Sequence, residues 1–146
     1  MKVIVQKVKS ASCVVDDKIT GQIDSGYMLL VGFTHTDTIE NVKKMAKKIV
    51  GLRIFEDEMG KMNLDIKSVN GKILSISQFT LYGDANKGNR PSFVNSMPGA
   101  LAEPLYNSFN EILRDEYDLI VETGIFGAHM YLNPVCDGPV TIELEF

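Results

Sequence analysis

Hydroxyl, amide and aromatic side chains crowd one short stretch of the chain, Ser77-Gln78-Phe79-Thr80. The stretch continues the apolar run KILSI, so it lies near the end of a predicted strand and offers hydrogen-bond donors and acceptors beside an apolar wall. Such a combination is typical of a small-molecule site. It is equally typical of an ordinary strand end in which Ser and Thr side chains pair across a sheet, and spacing alone does not separate the two interpretations.

A basic loop follows this stretch, in which Lys87 and Arg90 are separated by glycine and asparagine. Glycine lets a ligand approach the main chain closely, and the two cations could hold one or two phosphate groups. An isolated pattern of this kind more often forms a solvated loop, so a phosphate site here needs support from other features of the chain.

The other candidate groups do not form a familiar hydrolytic or metal centre. His35 lies in a polar turn, and His129 lies in a strand-like stretch without a nucleophile that can be assigned to it. Cys13 and Cys136 form neither a CxxC motif nor a cluster with zinc spacing, which favours reduced thiols. The acidic run that begins at Glu56 is ordinary for a solvated loop. These residues therefore require no metal.

Gly138-Pro139 interrupts the last strand-like stretch of the chain. Proline supplies no N–H group to a sheet ladder and glycine supplies no side chain, so the pair weakens any strand that it joins. A rigid corner at this position calls for a functional explanation that composition and spacing do not provide.

Bulk composition limits the classes of protein to which this chain can belong. With 146 residues, 45% of them hydrophobic, the chain can bury one sizeable core but hardly two. A net charge of −4 disfavours a protein that tracks along a nucleic-acid backbone and leaves room only for local contacts. The N-terminal segment is too short and too lysine-rich for a secretory signal, and no apolar run reaches membrane-spanning length, so we expect a cytoplasmic protein.

Hydrophobic periodicity predicts the elements that must position these residues. Short β-branched runs, separated by Asp16-Asp17 and Ser25-Gly26, predict a meander of strands in the first third of the chain. A capping-box pattern over residues 37–40 opens an amphipathic helix that ends at Gly51.

The second half of the chain contains both strand-like and helix-like hydrophobic periodicity. Residues 72–82 predict one long strand, and residues 101–117 predict a helix with Leu101 facing inward and Pro104 at a bend or in the first turn. Three further strands close the chain. The sum is a single α+β domain over residues 1–146, a mostly antiparallel sheet or partial β-barrel with two helices packed against it.

Several longer motifs occur in a fixed order: RIFEDEMGKMN, SQFTLYGD, KGNRPSF, AEPLY, VETGIFGAHM and DGPVT. Together they resemble the D-aminoacyl-tRNA deacylases of the bacterial and eukaryotic cytosolic type, and the resemblance covers residues 1–146. It implies a homodimer that hydrolyses the ester between a D-amino acid, or glycine, and the terminal adenosine of tRNA as a proofreading step in translation. It implies no metal and no organic cofactor.

The resemblance also assigns roles to individual residues. In the family the Gly-Pro peptide is cis and reaches across the dimer into the partner's active site, where it excludes L-aminoacyl substrates. The implied catalytic residues are Thr80, Ser77, Gln78 and Phe79, and the implied substrate-binding residues are Gly138, Pro139, Met130, Lys87 and Arg90.

The chain departs from the family pattern near the corner. Cys136 stands where asparagine is usual, His129 where an acidic residue is common, and Pro134 should confine its strand to an edge or a bulge. Thr80 keeps two possible roles, as the nucleophile or as a group that stabilises charge while the substrate's 2′-hydroxyl assists. A different cofactor-free hydrolase with a threonine nucleophile and a non-catalytic protein that binds RNA ends remain alternatives.

Overall fold

The computed structural model describes every residue from Met1 to Phe146 and contains eight strands, two α-helices and one 3₁₀ turn. None of its helices is both long and apolar enough to span a membrane. In chain order the elements are β1 (Lys2–Val15), β2 (Lys18–Ile23), β3 (Gly26–Gly32), α1 (Ile39–Val50), β4 (Phe55–Glu56), β5 (Met62–Leu64), β6 (Lys72–Ser77), the 3₁₀ turn (Phe79–Tyr82), α2 (Gly99–Asp115), β7 (Val121–Thr123) and β8 (Tyr131–Glu145).

Strand β1 organises the main sheet because both of its edges are paired. One edge pairs antiparallel with β3 and, further along, with β2, whereas the other pairs antiparallel with β8. Beyond β3, the strands β6 and β7 continue the sheet in parallel. The resulting order is β2-β1-β3-β6-β7, with β8 on the second edge of β1, so the sheet is mixed but mostly antiparallel.

The two ends of this sheet approach each other and nearly close it into a barrel. Strand β2 lies beside β7, and a Cβ atom at Gly21 would lie 2.5 Å from the carbonyl oxygen of Thr123. Only a residue without a side chain fits at this approach. The predicted partial barrel with two helices is therefore confirmed.

Two hydrophobic clusters lie on opposite faces of the sheet. The larger packs α1 and α2 against the sheet, and the smaller is formed mainly by strands β1, β2, β3 and β6. Ile73 belongs to the first cluster, whereas Leu74 and Ile76 belong to the second, so β6 is buried on both faces. This burial is typical of a parallel strand and fixes the position of the strand that leads into the Ser77–Thr80 stretch.

The long strand predicted over residues 72–82 is wrong in its second half. Strand β6 ends at Ser77, and Phe79–Tyr82 form the 3₁₀ turn. The ladder to β3 extends only to the Gln78 N–H, which donates to the Val31 carbonyl at 2.7 Å, and the chain then turns away.

The helix predictions need three smaller corrections. Helix α2 begins at Gly99 and contains Pro104 in its interior, and Leu101 is 63% exposed because Ala102 takes the buried position in that turn. The N-cap of helix α1 lies one residue later than the capping-box pattern predicts: it is Thr38, whose N–H donates to the Asn41 side chain at 3.0 Å.

The last two predicted strands form one strand, β8, that continues through the Gly-Pro corner. Pairing with β1 reaches Cys136, opposite Val8, and resumes at Thr141, opposite Gln6. The residues between bulge out of the ladder, which lets one strand hold a corner without ending. Pro134 lies on this edge strand, as expected, because β8 pairs only with β1.

Substituting Gly21 tests whether the close approach of β2 and β7 limits stability. In Gly21→Ala the added Cβ collides with the Thr123 carbonyl, so we expect the free energy of unfolding to fall by about 1–3 kcal/mol in urea denaturation. Gly51→Ala is the control, because a Cβ there meets nothing closer than 3.4 Å. Equal losses in the two variants would contradict a steric limit at the closure.

Candidate active site

A cavity of about 530 Å³ opens where β3 and β6 end beside the first turn of α2. Segments far apart in sequence form its wall, including Gly32, Ser96, Phe126 and Leu132. The wall is mostly apolar, and the volume lies within the range of small-molecule sites. The cavity is therefore the candidate active site.

Part of the predicted catalytic stretch lies in this wall. Ser77, Gln78 and Phe79 line the cavity, as does Met130 from the segment before β8. Thr80 is exposed and does not line it, but its hydroxyl accepts a hydrogen bond of 2.5 Å from the Gln78 amide. The Gln78 amide is thus the hydrogen-bond partner of the Thr80 hydroxyl. No histidine, carboxylate or amine forms a hydrogen bond with this hydroxyl.

The turn that follows β6 is held from two sides and leaves two backbone donors free. The Ser96 hydroxyl donates to the Phe79 carbonyl at 2.9 Å, and the Gln78 N–H is bound to β3 as described above. The first hydrogen bond inside the turn runs from the Leu81 N–H to the Gln78 carbonyl at 3.3 Å. The N–H groups of Phe79 and Thr80 precede it and have no backbone acceptor. Two adjacent donors thus lie on the turn that borders the cavity, of which Phe79 lines the wall and Thr80 does not.

An exposed aromatic pair borders the same edge. Phe79 and Phe93 meet edge to face with ring centroids 5.1 Å apart, and they are 57% and 39% exposed. Large apolar side chains that stay accessible beside a cavity provide a surface on which a flat ligand can pack. The role of Phe93 escaped the sequence analysis, although an aromatic residue directly after a polar, basic loop was an available signal.

A buried hydrogen bond supports the floor beneath this region. The Tyr106 hydroxyl of α2 donates to the Ser75 carbonyl of β6 at 2.8 Å. Burial raises the pKa of Tyr106, so its hydroxyl remains a protonated donor at neutral pH. This bond ties α2 to the strand whose end carries the catalytic stretch.

The predicted phosphate-binding cations lie outside the cavity. Lys87 and Arg90 belong to an exposed loop that is closed by two backbone hydrogen bonds of 2.8 Å between Asp84 and Ser92. Neither cation takes part in an ion pair of the chain. Nor does the chain contain a group of three or more His, Cys, Asp and Glu side chains arranged to hold a metal ion.

The Gly138-Pro139 peptide is cis, and it does not line the cavity of its own chain. Leu132 lies in the cavity wall, and the distance from there to Pro139 is roughly 20 Å along strand β8. Gly138 has a φ of +117°, a conformation that side chains other than hydrogen rarely adopt. Within one protomer, the Gly138-Pro139 corner, which is predicted to exclude L-aminoacyl substrates, therefore lies apart from the cavity.

Adjacent residues of β1 hold this corner from both sides. Lys7 is almost completely buried, and its ammonium group lies 3.2 Å from the Asp137 carboxylate, immediately before the corner. On the other side the Gln6 amide donates to the Val140 carbonyl at 3.2 Å and accepts a bond of 2.5 Å from the Thr141 hydroxyl. The corner is therefore fixed on the sheet rather than suspended in a free loop.

The fold and the cavity together agree with one family of tRNA-acting hydrolases. The family model described as D-Tyr-tRNA(Tyr) deacylase matches residues 4–145, and the chain belongs to this family. A D-aminoacyl-tRNA deacylase of Exiguobacterium sp. is 55% identical over 99% of this chain and 98% of its own length. One of Listeria monocytogenes serotype 4a is also 55% identical, over 99% of this chain and 95% of its own.

Solved structures show the same fold. A protein described as a c-Myc DNA unwinding element binding protein has a TM-score of 0.95 and 42% identity, covering 100% of this chain and 99% of that one. A probable eukaryotic D-amino acid tRNA deacylase has a TM-score of 0.84 at 20% identity, covering 98% of this chain and 97% of that one. The second similarity is evidence for the fold alone.

Removing the Lys7 ammonium tests how firmly the corner is held. Lys7→Met leaves the half-buried Asp137 carboxylate without its partner, so we expect a loss of about 1–2 kcal/mol in the free energy of unfolding. Amide hydrogen exchange across residues 137–140 should become faster.

The matched control removes an exposed ion pair. Lys72→Met breaks a 2.8 Å contact with the exposed Asp24 and should cost less than about 0.5 kcal/mol. Unchanged exchange at residues 137–140 in Lys7→Met would show that β1 does not hold the corner.

Proposed function

We propose that the protein is a D-aminoacyl-tRNA deacylase, which hydrolyses the ester between a D-amino acid and the terminal adenosine of tRNA. Family membership supports this proposal, and the relatives reported above carry the same activity in their names. The observation that carries it is the pair of free N–H groups at Phe79 and Thr80 beside an apolar cavity. Ester hydrolysis requires donors of this kind where negative charge develops on the carbonyl oxygen.

The mechanism rests on positioning and backbone donors. The N–H groups of Phe79 and Thr80 stabilise the oxyanion as water attacks the ester. A threonine hydroxyl is a weak nucleophile unless a base activates it, and the Thr80 hydroxyl contacts only the Gln78 amide. The adenosine 2′-hydroxyl lies next to the scissile ester and can assist the attack, so the substrate supplies a group that the protein does not.

The activity is tested with a panel of three charged tRNAs. The purified protein should deacylate D-tyrosyl-tRNA rapidly, glycyl-tRNA on tRNA(Ala) measurably, and L-tyrosyl-tRNA no faster than the buffer does. Release of the amino acid is followed over time against a reaction without protein. Binding of all three without ester loss would instead support a non-catalytic protein that binds RNA ends.

Thr80→Ala distinguishes the two possible roles of Thr80. If the hydroxyl is not the nucleophile, the variant should keep measurable turnover, reduced by about 10- to 100-fold at most, because the backbone donors and the 2′-hydroxyl remain. Activity is measured under single-turnover conditions, with mass analysis for a covalent acyl-protein species. Loss to the uncatalysed rate, or an acyl adduct on the parent protein, would establish Thr80 as the nucleophile.

The active form is a homodimer in which each corner serves the partner's cavity. Within one chain the corner and the cavity are separated along β8, and the outer edge of β8 is unpaired. Tyr131 and Val135 on this strand are 64% and 54% exposed. Long edge strands with accessible apolar residues tend to pair with other chains and aggregate. A two-fold interface would cover this edge.

In this arrangement Gly138-Pro139 selects by chirality. Its main-chain carbonyls accept hydrogen bonds from the substrate ammonium group and leave no room for a side chain in the L direction. The same gate cannot exclude glycine, which explains the expected activity on glycyl-tRNA. Lys87 and Arg90 contact phosphates of the tRNA acceptor end. Because its substrate is a tRNA, the protein acts in the cytoplasm.

Mixing two defective variants tests whether the corner acts on the partner. Gly138→Ala strains the corner at positive φ, and Gln78→Trp fills the cavity; each homodimer should be inactive. Co-expressed heterodimers would contain one intact site, so the mixture should recover about a quarter of the parent activity after random pairing. Each variant is first shown to be folded and dimeric. No recovery from such a mixture would indicate that the corner acts within its own protomer.

A further inference from the structure

His129 is the one ionisable side chain in the cavity wall. All other lining residues are apolar, glycine, or neutral and polar, such as Ser77, Gln78 and Ser96. The residue therefore determines whether the wall carries a charge. Neither the proposed hydrolysis nor the chirality gate uses it.

The surroundings of His129 leave its imidazole free for a ligand. The residue is exposed, and its ring packs edge to face on Tyr131, with ring centroids 5.1 Å apart. It takes part in none of the ion pairs of the chain. No carboxylate or amine shares the cavity wall.

We infer that protonated His129 binds a phosphate group of the tRNA 3′ end at the mouth of the cavity. This inference rests on the proposed function, because a tRNA end supplies the phosphates. A chain with a net charge of −4 otherwise repels a polyanion, and an imidazolium on a neutral wall provides a local attraction. The exposed ring lies in the cavity wall, where nucleotides outside the cavity can reach it, whereas the proposed oxyanion donors lie on the turn after β6.

The sign of the pH dependence follows from this contact. A phosphate binds the charged imidazolium, so binding is strengthened by protonation and the contribution is lost as pH rises. The contact should therefore be stronger at pH 6 than at pH 8. A histidine acting as general base would show the opposite dependence, since it must be neutral to accept a proton.

The test compares the parent protein with His129→Gln and His129→Lys. The affinity for uncharged tRNA and the kcat/KM for D-tyrosyl-tRNA are measured at pH 6 and pH 8 over a range of salt concentrations. Rates are expressed as ratios to the parent at the same pH, because the substrate ammonium group and the uncatalysed hydrolysis also change with pH. The binding measurement does not require turnover.

For His129→Gln we expect binding and kcat/KM at pH 6 to fall by about two- to fivefold, with kcat unchanged and no effect at pH 8. The dependence of log affinity on log salt at pH 6 should decrease by about 0.7, as for one lost phosphate contact on a single strand. His129→Lys keeps its charge at both pH values, so it should match the parent's salt dependence at pH 6 and exceed it by about 0.7 at pH 8.

Three results would overturn the inference. They are an unchanged salt dependence in His129→Gln at pH 6, a loss confined to pH 8, or a loss in kcat rather than in affinity. Failure of the proposed function has a different signature, because the parent protein would then fail to deacylate D-tyrosyl-tRNA whatever stands at residue 129.

Discussion

The pairing of β1 along both of its edges is the constraint on which the rest of the structure depends. One edge holds β3, and the Val31 carbonyl of that region fixes the Gln78 N–H at the start of the catalytic turn. The other edge holds β8 and, through Gln6 and Lys7, the Gly-Pro corner. A single strand thus positions both the turn beside the cavity and the Gly-Pro corner, which lie apart within one chain.

The chemistry proposed for the site would rely on the main chain more than on side chains. The free donors at Phe79 and Thr80 are backbone groups, and the corner presents carbonyls rather than a reactive side chain. The Ser96 and Tyr106 side chains do not supply these groups. Their hydroxyls donate hydrogen bonds to the backbone carbonyls of Phe79 and Ser75 and so hold the main chain in place. Preorganised backbone dipoles need no proton transfer to become active, which is compatible with the lack of a base beside Thr80.

The sequence predicted those elements whose local preference and tertiary environment agree. The meander of strands and helix α1 follow from periodicity, because their apolar faces are buried as the pattern requires. The stretch after Ser77 differs: its β-prone residues are turned into a 3₁₀ conformation by long-range contacts with Val31 and Ser96. Such contacts have no signal in the local sequence.

Part of the cavity wall was predictable from the sequence, but its assembly was not. The motif around Ser77 indicated three residues that line the cavity, whereas the rest of the wall comes from segments such as Phe93 and Phe126 that meet only in the folded chain. The separation of Gly138-Pro139 from the cavity could not be read from spacing either. It depends on the register of β8 against β1, which the bulge at the corner shifts.

The pairing of β1 with β8 also bears on how the chain folds during synthesis. Residues 2–14 leave the ribosome well before their partners on one edge, which are residues 131–145. Contacts of such large sequence separation are slow to form, because a long loop must close before any of them is made. Until then one edge of β1 stays open, and the nascent chain exposes an unpaired strand to its neighbours. The Gly-Pro corner can take its final position only after residues 131–145 have been made and have paired with β1.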